Sequence, residues 1–363
     1  MVLAIVLGCM MRMILNFATR RPDRRILLRV AAVPALAAVL SFSLAACGGD
    51  EDGGSADLTV VASTTEVADL ARNVAGDRAE VIGILAPNSD PHDYEPRPSD
   101  AESIAEADLV VQSGGDLDLW LDDVVESSGT DAPVTTLIDS VDTTEGAPHE
   151  HEDEHPGEEG DAEEEAEEEH SEEETDPHWW EDPRNAILAV EAIRDRLIEV
   201  DPDGRRDYEA NADDYVARLE DLDAQIADCM QGVPAGERKL VTSHDALGYF
   251  AQRYDIEVVG AAIPALTTQA QPSAGETAEL VDLIRSEGVN SVFPEAGVNT
   301  DLEQAIADET GAEIGGELWA DTLGPEGSGA ETYIEAMAAN AATLAEGFSG
   351  RDRACTFAGL AGP

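Results

Sequence analysis

Three histidines stand in settings that suit the capture of a cation. They are His92 in Asp90-Pro91-His92-Asp93-Tyr94-Glu95-Pro96, His178 in Asp176-Pro177-His178-Trp179-Trp180-Glu181-Asp182-Pro183, and His244 in Ser243-His244-Asp245-Ala246. A neutral imidazole is the commonest metal ligand, although a single loop histidine is by default only a hydrogen-bonded side chain. These three are the only histidines outside one acidic run, and acidic residues flank each: Asp90 and Asp93, Asp176 and Glu181, Asp245. A carboxylate on the second ring nitrogen fixes the tautomer and raises ligand basicity. The chemistry they would perform together is the binding of a divalent transition metal. No His-Glu-x-x-His helix accompanies them, so a metallohydrolase lacks its usual signature.

The elements that must position these residues alternate between strand and helix. Leu58 to Ala62 is an apolar, β-branched run expected to form a buried strand, and Ser63 to Glu66 would cap a helix over 67–74. Strands are expected over 78–85, 108–112, 134–138, 239–242, 257–261 and 291–293. Helices are expected from Ser99 (with Glu102 at capping-box spacing), and over 117–127, 184–200, 246–254, from Ser273 (with Glu276) to 287, 300–309 and 329–348. His92 and His244 then follow strands, where open α/β sheets bind ligands. Between the two α/β stretches, Tyr208, Ala212, Tyr215, Leu219, Leu222 and Ile226 recur at helical spacing. The fold class expected is α/β: two lobes, each with a mainly parallel sheet flanked by helices, joined by one long helix. The boundaries are 57–203 for the first lobe, 204–232 for the connecting helix, 233–350 for the second lobe and 351–363 for a tail.

Charge and termini narrow the compartment. With 21 Lys and Arg against 78 Asp and Glu, the formal net charge of −57 repels nucleic acid and attracts cations. Much of it lies in 145–176, which carries His149, His151, His155 and His170 and almost no large apolar residue, and so reads as an unstructured insert. Its role would be that of a weak cation-collecting or sensing arm, against the alternative of a merely solvated loop. Arginines 20 to 29 precede the apolar run from Val30 to Leu44-Ala45-Ala46-Cys47, the pattern of an export signal ending in a bacterial lipobox. Residues 1–46 would be removed, Cys47 lipidated, and 47–56 would form a tether. In an exported chain the remaining Cys229 and Cys355 are expected to pair, the alternative being two buried thiols.

The three histidine motifs, in this order and behind a lipobox, resemble the zinc/manganese substrate-binding lipoproteins of ABC importers (cluster A-I) from about Leu58 to Phe348. The resemblance implies a periplasmic-binding-protein fold, no enzymatic activity, a lipid anchor at the outer face of the cell membrane, a monomer, and a membrane permease as partner. It implies a fourth ligand, for which Asp321 in Trp319-Ala320-Asp321-Thr322 is the candidate and Glu295 the rival. Members with histidine at the third position commonly carry zinc, and His244 stands there. Zn(II) is therefore the expected cargo, with Mn(II) or iron uptake, or surface adhesion, as the other readings.

Overall fold

The computed structural model of the protein describes residues 58–144, 175–349 and 354–359, which belong to one compact unit. The export signal, Cys47 with its tether, and the four histidines of the acidic run lie outside the described residues.

Four parallel strands lie in the first part of the described residues: β1 (Leu58–Ala62), β2 (Ala79–Gly83), β3 (Leu109–Gln112) and β4 (Val134–Thr136), in the order β2-β1-β3-β4. The β-branched residues of β1 and β3 explain their central place, for Val60, Val61, Val110 and Val111 are fully buried between helices on both faces. The second half supplies β5 (Lys239–His244) paired with β6 (Glu257–Ile263), and β7 (Ser291–Val292) paired with β8 (Glu313–Ile314), all parallel. A parallel bridge between Thr242 and Phe293 joins the pairs, with the Phe293 amide donating to the Val241 carbonyl at 2.9 Å. The resulting order, β6-β5-β7-β8, repeats that of the first half. In each half the chain leaves the central pair to opposite sides. A crevice therefore opens beyond the carboxyl ends of β1 and β3, and of β5 and β7.

The helices are α1 (Thr65–Ala75), α2 (Pro98–Ala105), α3 (Trp120–Ser128), α4 (Pro183–Val200), α5 (Arg205–Gln231), α6 (Gly248–Tyr254), α7 (Ala274–Glu287), α8 (Asp301–Thr310) and α9 (Tyr333–Phe348). The Ser273–Glu276 capping box of α7 forms as expected, with the Ser273 amide donating to Glu276 at 2.6 Å and the Glu276 amide to the Ser273 hydroxyl at 3.2 Å. Other starts differ. Thr64 caps α1, accepting from the Val67 amide at 3.3 Å, which frees Glu66 for burial. α2 begins one residue before Ser99, and Asp100 accepts from the Arg97 amide at 2.6 Å. α9 begins at Tyr333 because Thr332 and Glu335 form its capping box. β5 runs on through His244.

The long helix α5 buries all six apolar residues of its expected stripe and adds Met230. Its 27 residues span about 40 Å at about 1.5 Å per residue. It packs against α1, α4 and α9, so both halves share a core. Each Leu or Ile buried there contributes about 1.5–3 kcal/mol. Polar ties reinforce the arrangement: Asp69 on α1 accepts from the Tyr215 hydroxyl of α5 at 3.3 Å and from the Tyr333 amide of α9 at 3.0 Å. Cys229, near the end of α5, forms the expected disulfide with Cys355, 126 residues on.

Candidate metal centre

Each of the four expected residues is delivered by a different device. His92 lies on the Pro-rich loop after β2, where the Asp90 carboxylate accepts its amide at 2.9 Å. His178 precedes a single 3-10 turn, Trp179–Glu181, whose tryptophans anchor it. The Trp179 indole donates to Ser113 at 3.0 Å at the end of β3, and the Trp180 indole donates to the Ala320 carbonyl at 2.8 Å. The second bond ties the His178 turn directly to the loop that carries Asp321. His244 is the last residue of β5, fixed by the sheet itself. Asp321 follows Leu318, which bridges in parallel to Glu295 just past β7.

The four side chains converge, with one donor atom from each lying within 4.8 Å of the others. The Nε2 atoms of His178 and His244 are 3.3 Å apart. Asp321 Oδ2 is 3.2 Å from His244 Nε2 and 3.4 Å from His92 Nε2, and its Oδ1 is 3.5 Å from His178 Nε2. His178 and His244 are completely buried. His92 Nε2 and Asp321 Oδ1 are buried without a hydrogen-bond partner, although a buried polar atom ordinarily finds one. Three imidazole nitrogens and a carboxylate facing one point form a cation-binding donor set.

Carboxylates behind the rings orient them. Asp176 Oδ1 lies 2.7 Å from His178 Nδ1, as the flanking acid of that motif suggests. For His244 the partner is Glu295, 2.6 Å from Nδ1 and also accepting the His244 amide at 3.0 Å, where sequence proximity pointed to Asp245. Glu295, weighed as a rival ligand, therefore stands behind a histidine. Both contacts direct Nε2 toward the common point.

The electrostatics are those of a site built for positive charge. Burial opposes protonation of His244, but the Glu295 and Asp321 carboxylates outweigh it and hold its pKa well above the usual imidazole range. Burial likewise opposes the Asp321 charge, yet His244 and His178 hold its carboxyl well below the usual range. Two further acids, one of them Glu181 beside His178, are buried near the centre, which the sequence did not reveal. Glu66 is pushed up to about 7, first by burial and then by Asp321, and Glu181 is raised by burial, Asp321 and Glu66. Both Glu181 oxygens are buried without a hydrogen-bond partner. Their sequence settings, a helix start and an acid after a Trp pair, give no sign of burial.

This fold is shared with known metal-binding proteins. The solved structure of the periplasmic zinc-binding protein TroA from Treponema pallidum superimposes with a TM-score of 0.69 at 26% identity, covering 80% of this chain and 99% of that one. Structures of a periplasmic metal-binding protein from Candidatus Liberibacter asiaticus share the fold at TM-scores up to 0.68. The fold is thus that of periplasmic metal-binding proteins. Residues 60–347 match the family described as zinc-uptake complex component A, periplasmic, and the chain belongs to that family. Among its relatives, the manganese-binding lipoprotein MntA of Halalkalibacterium halodurans is 34% identical over 86% of this chain and 96% of its own. The iron-binding protein YfeA of Yersinia pestis is 31% identical over 80% and 86%. The protein is accordingly a metal ABC transporter substrate-binding lipoprotein, extracytoplasmic and anchored to the membrane.

Proposed function

We propose that this lipoprotein captures Zn(II) with His92, His178, His244 and Asp321 and delivers it to the permease of an ABC importer. The observation that carries the reading is the convergence of three imidazole Nε2 atoms and one carboxylate. A tetrahedron with bonds of about 2.0–2.1 Å, the zinc–ligand range, has edges of about 3.3 Å. With Asp321 Oδ2 as the carboxylate donor, its separations of 3.2 Å from His244 and 3.4 Å from His92 and the 3.3 Å between His178 and His244 are close to that figure, while the four donors as a set lie within 4.8 Å of one another. Nitrogen-rich donor sets also hold zinc more tightly than manganese in the general order of divalent metals. Four protein donors leave no coordination position for catalytic water, which fits a carrier rather than an enzyme.

Manganese is the second reading, and two observations favour it. The 34% identical relative is named for manganese, and Asp321 turns both oxygens toward the histidines, which would suit a larger coordination number. Metal analysis of protein purified without added metal, followed by competition titration of the metal-free form, separates the readings. One equivalent of zinc bound at least about 100-fold more tightly than manganese is expected; equal affinities would overturn the zinc assignment.

A further inference from the structure

His92 is supported differently from the other two histidines. His178 and His244 hold carboxylates on Nδ1 and are rooted in a buried turn and a strand, while His92 rides on a loop from Ala86 to Arg97. That loop is fastened from across the cleft. Asp90 accepts the His92 amide with Oδ1 at 2.9 Å and, with Oδ2, the hydroxyl of Thr268 at 2.7 Å. The Gln269 side-chain amide donates to the His92 carbonyl. Both residues belong to the loop between β6 and α7, in the second half. A second fastening holds the start of the loop: the Asn88 amide donates to the Thr322 hydroxyl at 2.8 Å, beside Asp321. Asn88 has a φ of 64°, a left-handed conformation that asparagine tolerates better than most residues.

Building on the metal-capture reading, we propose that Asp90, Thr268 and Gln269 are positioning residues that clamp His92 over the ion and set the rate of metal release. In the clamped state the second half grips His92 from both sides, by its amide through Asp90 and by its carbonyl through Gln269. Breaking the clamp leaves His178, His244 and Asp321 in place, so once the loop swings out the ion is held by three donors only. A hydrogen bond to a carboxylate is stronger than one between neutral groups. Thr268 Oγ1 is therefore the most informative atom to remove, since it touches no metal-facing side chain.

The test is stopped-flow transfer of zinc from loaded protein to excess chelator, for wild type, Thr268→Val, Thr268→Ser, His92→Ala, and His92→Ala with Thr268→Val. Thr268→Val should release zinc about tenfold faster, Thr268→Ser should match wild type, and Thr268→Val should add nothing in the His92→Ala background. An unchanged Thr268→Val rate overturns the clamp, as does acceleration that persists without His92. The underlying reading fails separately: His92→Ala would then bind zinc as tightly as wild type.

Discussion

Replacing Glu295 by Gln tests whether that carboxylate acts through His244 or on the metal itself. Glu295 accepts both the ring Nδ1 (2.6 Å) and the amide (3.0 Å) of His244, and it is almost fully buried. Gln keeps the shape and one acceptor oxygen but removes the charge that raises imidazole basicity. Loss of such a partner typically weakens metal binding 10–100-fold, about 1.4–2.7 kcal/mol. The pH dependence adds a signature. In the metal-free protein Glu295 and Asp321 hold His244 protonated above its usual range, so zinc must displace a proton. Below the raised pKa the wild-type affinity falls about tenfold per pH unit. Glu295→Gln lowers that pKa, so proton competition begins at lower pH and the gap between variant and wild type shrinks on acidification. Competition titrations with a fluorescent chelator from pH 8 to 5.5 read both effects. A loss as large as that of His244→Ala would make Glu295 a direct ligand. A gap that stays constant with pH would refute the coupling to His244.

Three further outcomes follow from other parts of the molecule. In the metal-free protein Glu66 titrates at about 7 instead of 4.5, because burial and Asp321 favour its neutral form. The folded state then keeps a proton that the unfolded state releases, so stability falls as pH rises from about 4.5 to 7, by about 3 kcal/mol in total. Thermal unfolding with chelator should show Glu66→Gln gaining on wild type between pH 5 and 8; a pH-independent difference would contradict the assignment. Reducing Cys229–Cys355, which closes a loop of 126 residues, should cost about 3–5 kcal/mol in the chain-entropy model and lower Tm by about 10 °C while leaving zinc affinity unchanged. Replacing 145–174 with a short Gly-Ser linker should also leave the tight site intact. The flanking residues already meet, the Asp176 amide donating to the Thr144 carbonyl at 3.0 Å, and a titration that lost tight binding would move the site.

What could be read in the sequence was local. The His178–Asp176 pair is two residues apart, and the stripe of α5 is written at helical spacing, so both are legible without tertiary information. The three histidines of the centre could be singled out because their motifs and flanking acids survive in linear order, whereas Asp321 came only from the family resemblance. Glu295 was harder: a strand over 291–293 was expected, but Glu295 meets His244 only because β7 lies beside β5, and strand neighbours are not written in linear order. Glu66 reads as an ordinary acid in the first turn of a helix, and only tertiary packing places it near Asp321. The clamp on His92 likewise joins residues 178 positions apart. Helix starts slipped by a residue or two, as when Thr64, within the expected capping stretch Ser63 to Glu66, opened α1 at Thr65 instead of Val67.

The central claim is that His92, His178, His244 and Asp321 together hold the transported ion. X-ray absorption at the zinc edge of the stoichiometrically loaded protein addresses it directly. About four nitrogen and oxygen neighbours at about 2.0–2.1 Å are expected, with outer-shell scattering from three imidazoles. A six-coordinate, oxygen-dominated shell with one imidazole or none would contradict it.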